Sequence, residues 1–537
     1  MKVVTFGVEA REKLKRGVDL IANAVKATLG PRGRNVVYGF HYGYPIVTKD
    51  GVTVARQVEA KDQTEQIGLL LVRQVAQKTA DDAGDGTTTA TLLAQEIFTE
   101  GLKAMTSGAN PILIKRGIDK AISDVLVFID RIKMGTINEN DLKKVAALSA
   151  NNDPVIGNLI IEAINKVGRD GVITIDDNYQ TKETYIETME GMQFHEGMIS
   201  PYFITDPEKM EAVYQNPYLI IFDGDLLSIN QIAGILEKAL KTGKPVILFA
   251  NNYHNSVIQV LVNTRIKNSI PFVAVKSPYF GDFRTEQLID LSILTGGKVI
   301  GPTTGLRPEE AELTDLGQCE KVKVTRYGTT IVGGVGQTRD IEGRINVIKN
   351  MIEKSESDYE KEKLRERLSK LTTGVAVIKV GGPTEAEQKE KKMRIEDALL
   401  ACRAAVADGI VPGGGITLFK AVSAIGEGGA EEELIGQRII KKALRAPLLQ
   451  IAANSGIDGA EIAAEINIRS KESWYGYDFL NNRFGDLMEL GVIDPARVVK
   501  STIINAASIA GLLLTTEVVC NEEEEETVTR TPKPKST

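Results

Sequence analysis

Apolar residues recur at helical spacing through the first hundred positions. Leu14, Val18, Ile21 and Val25 fall three or four apart and stop before Gly30-Pro31. That pattern predicts an amphipathic helix closed by turn residues. A second helix is expected over about residues 65–79, and a third after the DGTTTAT run as far as about Ala104. The middle of the chain has a different texture. Residues 219–222, 246–249 and 272–275 are unbroken apolar runs of strand length, separated by helix-like segments around 229–241 and 255–267. A further helix-like segment at 285–294 leads to a short apolar run at 298–300. Strands alternating with helices predict a parallel α/β layer made of crossover units.

Residues 341–371 are highly charged, with pairs such as Glu360–Lys361 and Arg365–Glu366. They read as a solvated helical hairpin. VAVIKVGG, at 375–382, reads as a strand, and the chain then returns to helical texture. Helical, α/β, then helical again suggests one domain inserted into another. The late apolar stretch 503–519 contains Asn505, Ser508, Thr515 and Thr516. It therefore reads as a buried helix rather than a membrane span. The end of the chain, NEEEEETVTRTPKPKST, is low complexity and is expected to be a disordered, solubilising tail.

Composition narrows the function classes. The chain has 537 residues and a net charge of -7, from 72 acidic and 65 basic residues. Its length predicts several domains. No basic excess marks a nucleic-acid surface, and one Trp with 5% aromatics offers few stacking platforms. Cys319, Cys402 and Cys520 lack the spacing of a disulfide framework or zinc knuckle, and His41, His195 and His254 are scattered. A reducing cytoplasm fits. The first residues turn charged before an apolar core can form, so no signal peptide is read there.

The chain has no G-x-x-x-x-G-K-[ST] and no kinase H-R-D with D-F-G. Gly334-Val335-Gly336 alone means a turn. Three glycine-bearing loops hold more interest: Thr28-Leu29-Gly30-Pro31-Arg32-Gly33, Thr48-Lys49-Asp50-Gly51 and Asp85-Gly86-Thr87-Thr88-Thr89. The third stands directly before an apolar helix. Backbone N–H groups, hydroxyls and a helix N-terminus together form an anion site. Asp85 could hold Mg²⁺, which takes one or two carboxylates plus phosphate oxygens. For that loop by itself, a plain helix N-cap accounts for the residues equally well.

Taken in order, TLGPRGRNVV, TKDGVTVA, AGDGTTTAT, ISPYF, VAVIKVGG, RIEDAL, VPGGG and GVIDPARV resemble the group I (GroEL-type) chaperonins, from about Phe6 to Val519. The resemblance implies a multidomain α+β and α/β fold. It has a helical equatorial domain (1–131 and 408–520), a small intermediate domain (132–189 and 376–407) and an inserted α/β apical domain (190–375). It implies an ATPase that folds non-native polypeptides in a homo-oligomeric ring, heptameric in the family's usual form. Mg²⁺ is the implied cofactor beside ATP, potassium a candidate, and a lid co-chaperonin a candidate partner. No nucleic acid or membrane is implied.

By position, the resemblance assigns Thr28, Leu29, Gly30, Pro31, Lys49, Asp85, Gly86, Thr87, Thr88, Thr89, Gly414, Asp478 and Asp494 to the nucleotide pocket. Asp85 would bind the metal, the three threonines the phosphates, and Asp494 the ribose. Gly413-Gly414-Gly415 would let backbone approach the nucleotide. Asp50 and Asp397 would orient and activate the attacking water. Asp397 falls in a helical pattern, RIEDALLACRAAV, where a solvated face is the plain alternative. Tyr202, Phe203, Ile232, Leu236, Val257, Leu261 and Val262 match the polypeptide-binding face. In the sequence itself, Val257, Ile258, Val260, Leu261 and Val262 cover more than one helix face. That leaves either a core helix or an exposed apolar patch.

Several positions depart from the family. Ala233 and Met198 soften the apical ridge. Glu196 stands where an Arg would pair with the acidic residue matched by Glu385, so like charges would repel. Leu449 replaces an inter-ring Arg, Asp478 replaces an Asn at the base, Thr373-Gly374 replaces a hinge glycine pair, and the acidic tail replaces a Gly-Gly-Met tail. These mark a divergent member, as a phage or a secondary paralogue would supply. They also keep open a ring-shaped holdase or scaffold with little ATP cycling. A small-molecule kinase using the same loops is a weaker alternative, because no substrate-pocket motif accompanies them.

Overall fold

In a computed structural model, residues 2–522 are described except 40–45, 136, 170, 178–181, 208, 269, 279–280, 303, 356, 373 and 470–473. His41, Thr373 and the acidic tail beyond Glu522 thus lie outside the described residues. The chain forms two compact units: 1–161 with 393–537, and 162–392.

The first unit is a helical body. Leu14, Val18, Ile21 and Val25 are fully buried on the helix Gly7–Val25, as their spacing requires. This helix packs on Gln63–Ala83, which in turn meets Thr87–Thr106 and Ala496–Thr515. The crossing of these first two helices is so close that only glycine fits at two positions. A Cβ added at Gly17 would stand 1.8 Å from the carbonyl oxygen of Glu65, and one at Gly68 would stand 2.3 Å from that of Leu14. The helices Pro111–Ile132 and Glu431–Ala443 repeat the device through Gly117 and Gly436. The strand Lys2–Phe6 pairs antiparallel with Val518–Glu522.

The late apolar stretch is a core helix, Ala496–Thr515, most of which is buried. It is long and apolar enough to cross a membrane, but its apolar face belongs to the interior of this unit. It ends at Thr515, earlier than the apolar run suggested, and the chain continues as the strand Val518–Glu522.

The second unit is built on a mixed sheet. Phe272–Lys276, Val246–Ala250 and Tyr218–Phe222 run parallel, and Val299–Ile300 adds to Tyr218–Phe222. Gly317–Val324, Thr329–Gly334 and Gly191–Phe194 extend it antiparallel. The helices Asn255–Asn268 and Asp282–Thr295 follow strands in the crossover order foreseen. Val375–Val380 lies between Val172–Asp177 and Tyr185–Met189 in a separate three-stranded sheet.

The charged hairpin consists of Thr338–Lys354 and Asp358–Thr372, and it is not merely solvated. Ile341, Ile348, Leu364 and Leu371 enter the core. Between them, Arg344 and Arg367 reach Glu286 and Asp290 on the helix Asp282–Thr295, at 2.6–3.1 Å. Asp290 is 0% exposed. A buried carboxylate is tolerable only when paired and hydrogen-bonded, and two guanidinium groups supply both.

Candidate functional site

Four loops of the first unit converge. The helix Thr87–Thr106 begins at Gly86, whose φ of 83° is a left-handed value that favours glycine. No side chain caps this terminus. The first-turn N–H groups therefore point outward without a side-chain acceptor, which is the arrangement that receives an anion. Thr88 Oγ1 lies 3.4 Å from Thr28 Oγ1. A Cβ at Gly51 would stand 2.2 Å from Thr88 Oγ1 and 3.3 Å from Thr87 Oγ1. Thr28, Gly51, Thr87 and Thr88 are thus brought to one place.

The Thr28–Pro31 loop is fixed from outside. Asn454 donates 2.9 Å hydrogen bonds to the carbonyls of Lys26 and Leu29. Gly30 is left-handed, at φ 84°. Lys49 is exposed and Thr89 is half-buried.

Across the crevice, Ile410–Pro412 pairs antiparallel with Ile493–Pro495. This pairing sets Asp494 beside the glycine run, and a Cβ at Gly413 would stand 3.1 Å from Asp494 Oδ1. Burial pushes the Asp494 carboxyl up to about 7, and the charge of Asp85 adds to the rise. Burial also raises Asp85, Asp50 adds to it, and the Gly86 N–H at 2.5 Å opposes it. Each residue keeps part of its surface open to solvent, yet its carboxyl group is enclosed. An enclosed carboxylate at Asp85, beside an open helix terminus, fits a cation shared with phosphate oxygens. Among the described residues no three His, Cys, Asp or Glu converge on a metal position. Mg²⁺ takes one or two carboxylates and completes its shell with phosphate oxygens and water.

The helix Glu385–Asp408 passes over this loop. Leu400 packs directly on Gly84, and Ala404 clusters with Ala83 and Val498. Arg394 holds Asp153 at 2.9 Å. Asp397 stands one turn before Leu400 on the same face, the one that meets the Gly84–Asp85 loop.

Two contributors carried no signal in the spacing of residues. One is Asn454. The other is Ser149, the last residue of the helix Glu139–Ser149. Its hydroxyl lies close enough to Asp85 to favour the charged form. It is nevertheless buried without a hydrogen bond of good geometry to any protein group among the described residues. A buried hydroxyl left open beside a carboxylate is a place for a ligand atom. Asn151 and Asn152 follow in left-handed conformation, at φ 59° and 63°.

Three expectations change. Asp478 does not present its carboxylate outward. It is buried and accepts from Leu480 N, Asn481 N and Asn481 Nδ2 at 2.7–3.2 Å, because its own turn supplies three donors within reach. Asp50 is engaged as a helix cap, accepting from Val52 N, Thr53 N and Thr53 Oγ1. In the second unit, Phe203, Ile232, Leu236, Val257 and Leu261 are buried in the core rather than exposed as a ridge, and Val262 is partly buried against it. Their apolar faces close on the sheet and on each other. Tyr202 is 66% exposed, and Val260 and Ile266 are the open apolar positions of the helix Asn255–Asn268. Arg265 ties that helix to the carbonyls of Tyr202 and Ile204. Among the substituted positions, Leu449 is exposed and Glu385 pairs with Lys389 at 2.8 Å.

Residues 21–524 match the TCP-1/cpn60 chaperonin family. The fold is similar to the crystal structure of the chaperonin gp146 from the bacteriophage EL 2 (Pseudomonas aeruginosa) in the presence of ATP-BeFx. The TM-score is 0.66 at 20% identity, and the match covers 97% of this chain and 100% of that one.

Proposed function

Because the chain belongs to the TCP-1/cpn60 chaperonin family, as a divergent GroEL-type subunit, we propose that it is an ATP-driven ring chaperone that captures non-native polypeptides and promotes their folding. The observation that carries the ATP part is the uncapped helix terminus at Thr87, set beside Asp85 and facing Asp494 and Gly413. The phosphates lie against the N–H groups of Thr87, Thr88 and Thr89. Asp494 accepts from the ribose. Gly413 and Gly414 let the backbone come close to the nucleotide. Mg²⁺, held by Asp85, would neutralise charge on the phosphate oxygens.

Asp397 orients the attacking water from above, and Ser149 supplies a hydroxyl to the same space. Asp50 reaches this role by giving up part of its cap. The helix that carries Asp397 also leads toward the second unit, so its movement couples hydrolysis to the client-binding end. In the three-domain division proposed from the resemblance, both breaks between the compact units fall inside the intermediate segments 132–189 and 376–407. Clients are caught on the apical surface around Tyr202. The subunits form a ring, heptameric in the family's usual form, closed by a lid co-chaperonin and working in a reducing cytoplasm.

The test is phosphate release by the purified full chain with Mg²⁺ and ATP, run beside refolding of a denatured client. Refolding that follows ATP turnover supports the cycle. Client retention with no turnover would instead establish the holdase. That second reading draws on Asp50, whose carboxylate is already engaged.

A further inference from the structure

On the first unit lies a cavity of about 630 Å³, and no residue of the four nucleotide loops is among those lining it. Its floor and walls are Phe128, Phe419, Ile466 and Trp474. Phe419 and Ile466 are buried; Phe128 and Trp474 are half-buried. Arg131, Lys420 and Arg445 also line it, and among the described residues no acidic side chain does. Arg131 lies over the Phe128 ring, 5.6 Å from its centroid. Neither Arg131 nor Arg445 has a carboxylate partner among the described residues. Asp130, beside Arg131 in sequence, pairs with Lys133 and Lys500.

The volume is that of a small-molecule site, and the lining has the usual mixture of apolar walls with a few convergent polar groups. Two arginines beside aromatic faces select charge and shape together. The guanidinium forks suit a carboxylate, sulfonate or phosphate, and the ring faces suit a planar body. We propose that this bowl binds a small aromatic anion, with its ring against Trp474 and Phe419 and its acidic group between Arg131 and Arg445. The proposal rests on the geometry of this unit and not on the ATP cycle.

Trp474 is the single tryptophan of the chain, so the donor of any transfer is known, and the arginine variants decide whether the dye sits in this bowl. The full-length protein would be titrated with anilinonaphthalene sulfonate, exciting tryptophan and reading dye emission. The expected result is saturable transfer from Trp474 to the dye. The Arg131→Ala/Arg445→Ala variant should bind about tenfold or more weakly, since two charge-assisted contacts are lost. The Arg131→Lys/Arg445→Lys variant should keep most of the transfer. Phenylnaphthylamine, the neutral analogue, should give little transfer in the unaltered protein. That last comparison needs no variant to fold. No transfer from Trp474 to the sulfonate, equal transfer to the neutral dye, or unchanged binding in the folded double-alanine variant would each overturn the proposal.

Discussion

Leu400 sits so close over Gly84 that a Cβ added to the glycine would stand 2.1 Å from the Leu400 Cβ. Gly84 is also left-handed, at φ 75°. The helix bearing Asp397 can therefore reach the loop before Asp85 only because position 84 has no side chain. Asp397→Ala should leave ATP binding within about twofold and lower hydrolysis by about a hundredfold or more, the range for loss of a positioned acid–base group. Nucleotide affinity and single-turnover hydrolysis, measured on the same preparation, separate the two effects. Unchanged turnover would remove Asp397 from the reaction.

The enclosed Asp494 gives a prediction in pH. Its folded pKa, about 7, lies above the ordinary carboxylate value, so the fold binds this proton more tightly than the unfolded chain does. The contribution is fully present below the ordinary value, about 4, and is lost as pH rises toward the folded value. In nucleotide-free protein, the fall in melting temperature between pH about 5 and about 7.5 should be smaller for Asp494→Asn than for the unaltered chain. Parallel pH profiles for the two proteins would show that Asp494 ionises freely.

Arg367→Ala would strip a partner from Asp290, which has no exposed surface of its own. Leaving a buried charge short of its partner costs about 3 kcal/mol or more. Denaturant unfolding followed by far-ultraviolet circular dichroism should show that loss. A double change of Arg367→Met with Asp290→Leu should recover part of it. A shift below about 0.5 kcal/mol for the single variant would mean that Arg344 alone satisfies Asp290.

For client capture, exposure separates two residues that the family resemblance grouped together. Leu261 is 3% exposed and Tyr202 66%. Leu261→Ser should act first on stability, by about 2 kcal/mol or more, because a hydroxyl replaces a packed isobutyl group. Tyr202→Ser should leave the melting temperature unchanged and weaken retention of a denatured client. Equal retention by Tyr202→Ser and the unaltered protein would move the capture surface elsewhere.

These residues also show what the sequence could and could not convey. The helices of the first unit were legible because Leu14, Val18, Ile21 and Val25 repeat with the helical period and are all buried. The parallel strands were legible because strands covered on both faces read as unbroken apolar runs. The buried arginines had a signal that went unread. Arg344 stands three after Ile341 and four before Ile348; Arg367 stands three after Leu364 and four before Leu371. Each therefore lies on the buried face, although composition makes the hairpin look uniformly solvated.

Asp478 could not be placed from sequence. Position selects a residue, but the nearest donors decide which way a short carboxylate turns, and those belong to its own turn. Ser149 and Asn454 were missed for a related reason. A lone polar residue at a helix end has no period, and its contacts lie far along the chain, at Asp85 for Ser149 and at Lys26 and Leu29 for Asn454.

The division into 1–161 with 393–537 and a contiguous 162–392 also sets an order of events at the ribosome. The inserted unit is complete once its own residues have emerged, so it can fold while synthesis continues. The body that holds the four loops cannot. Its core needs Ile503, Ala506 and Leu513 against helices made near the start, and its first strand, Lys2–Phe6, waits for Val518–Glu522. For most of its own synthesis, a subunit proposed to shelter unfinished chains carries its first apolar helices as an unfinished chain.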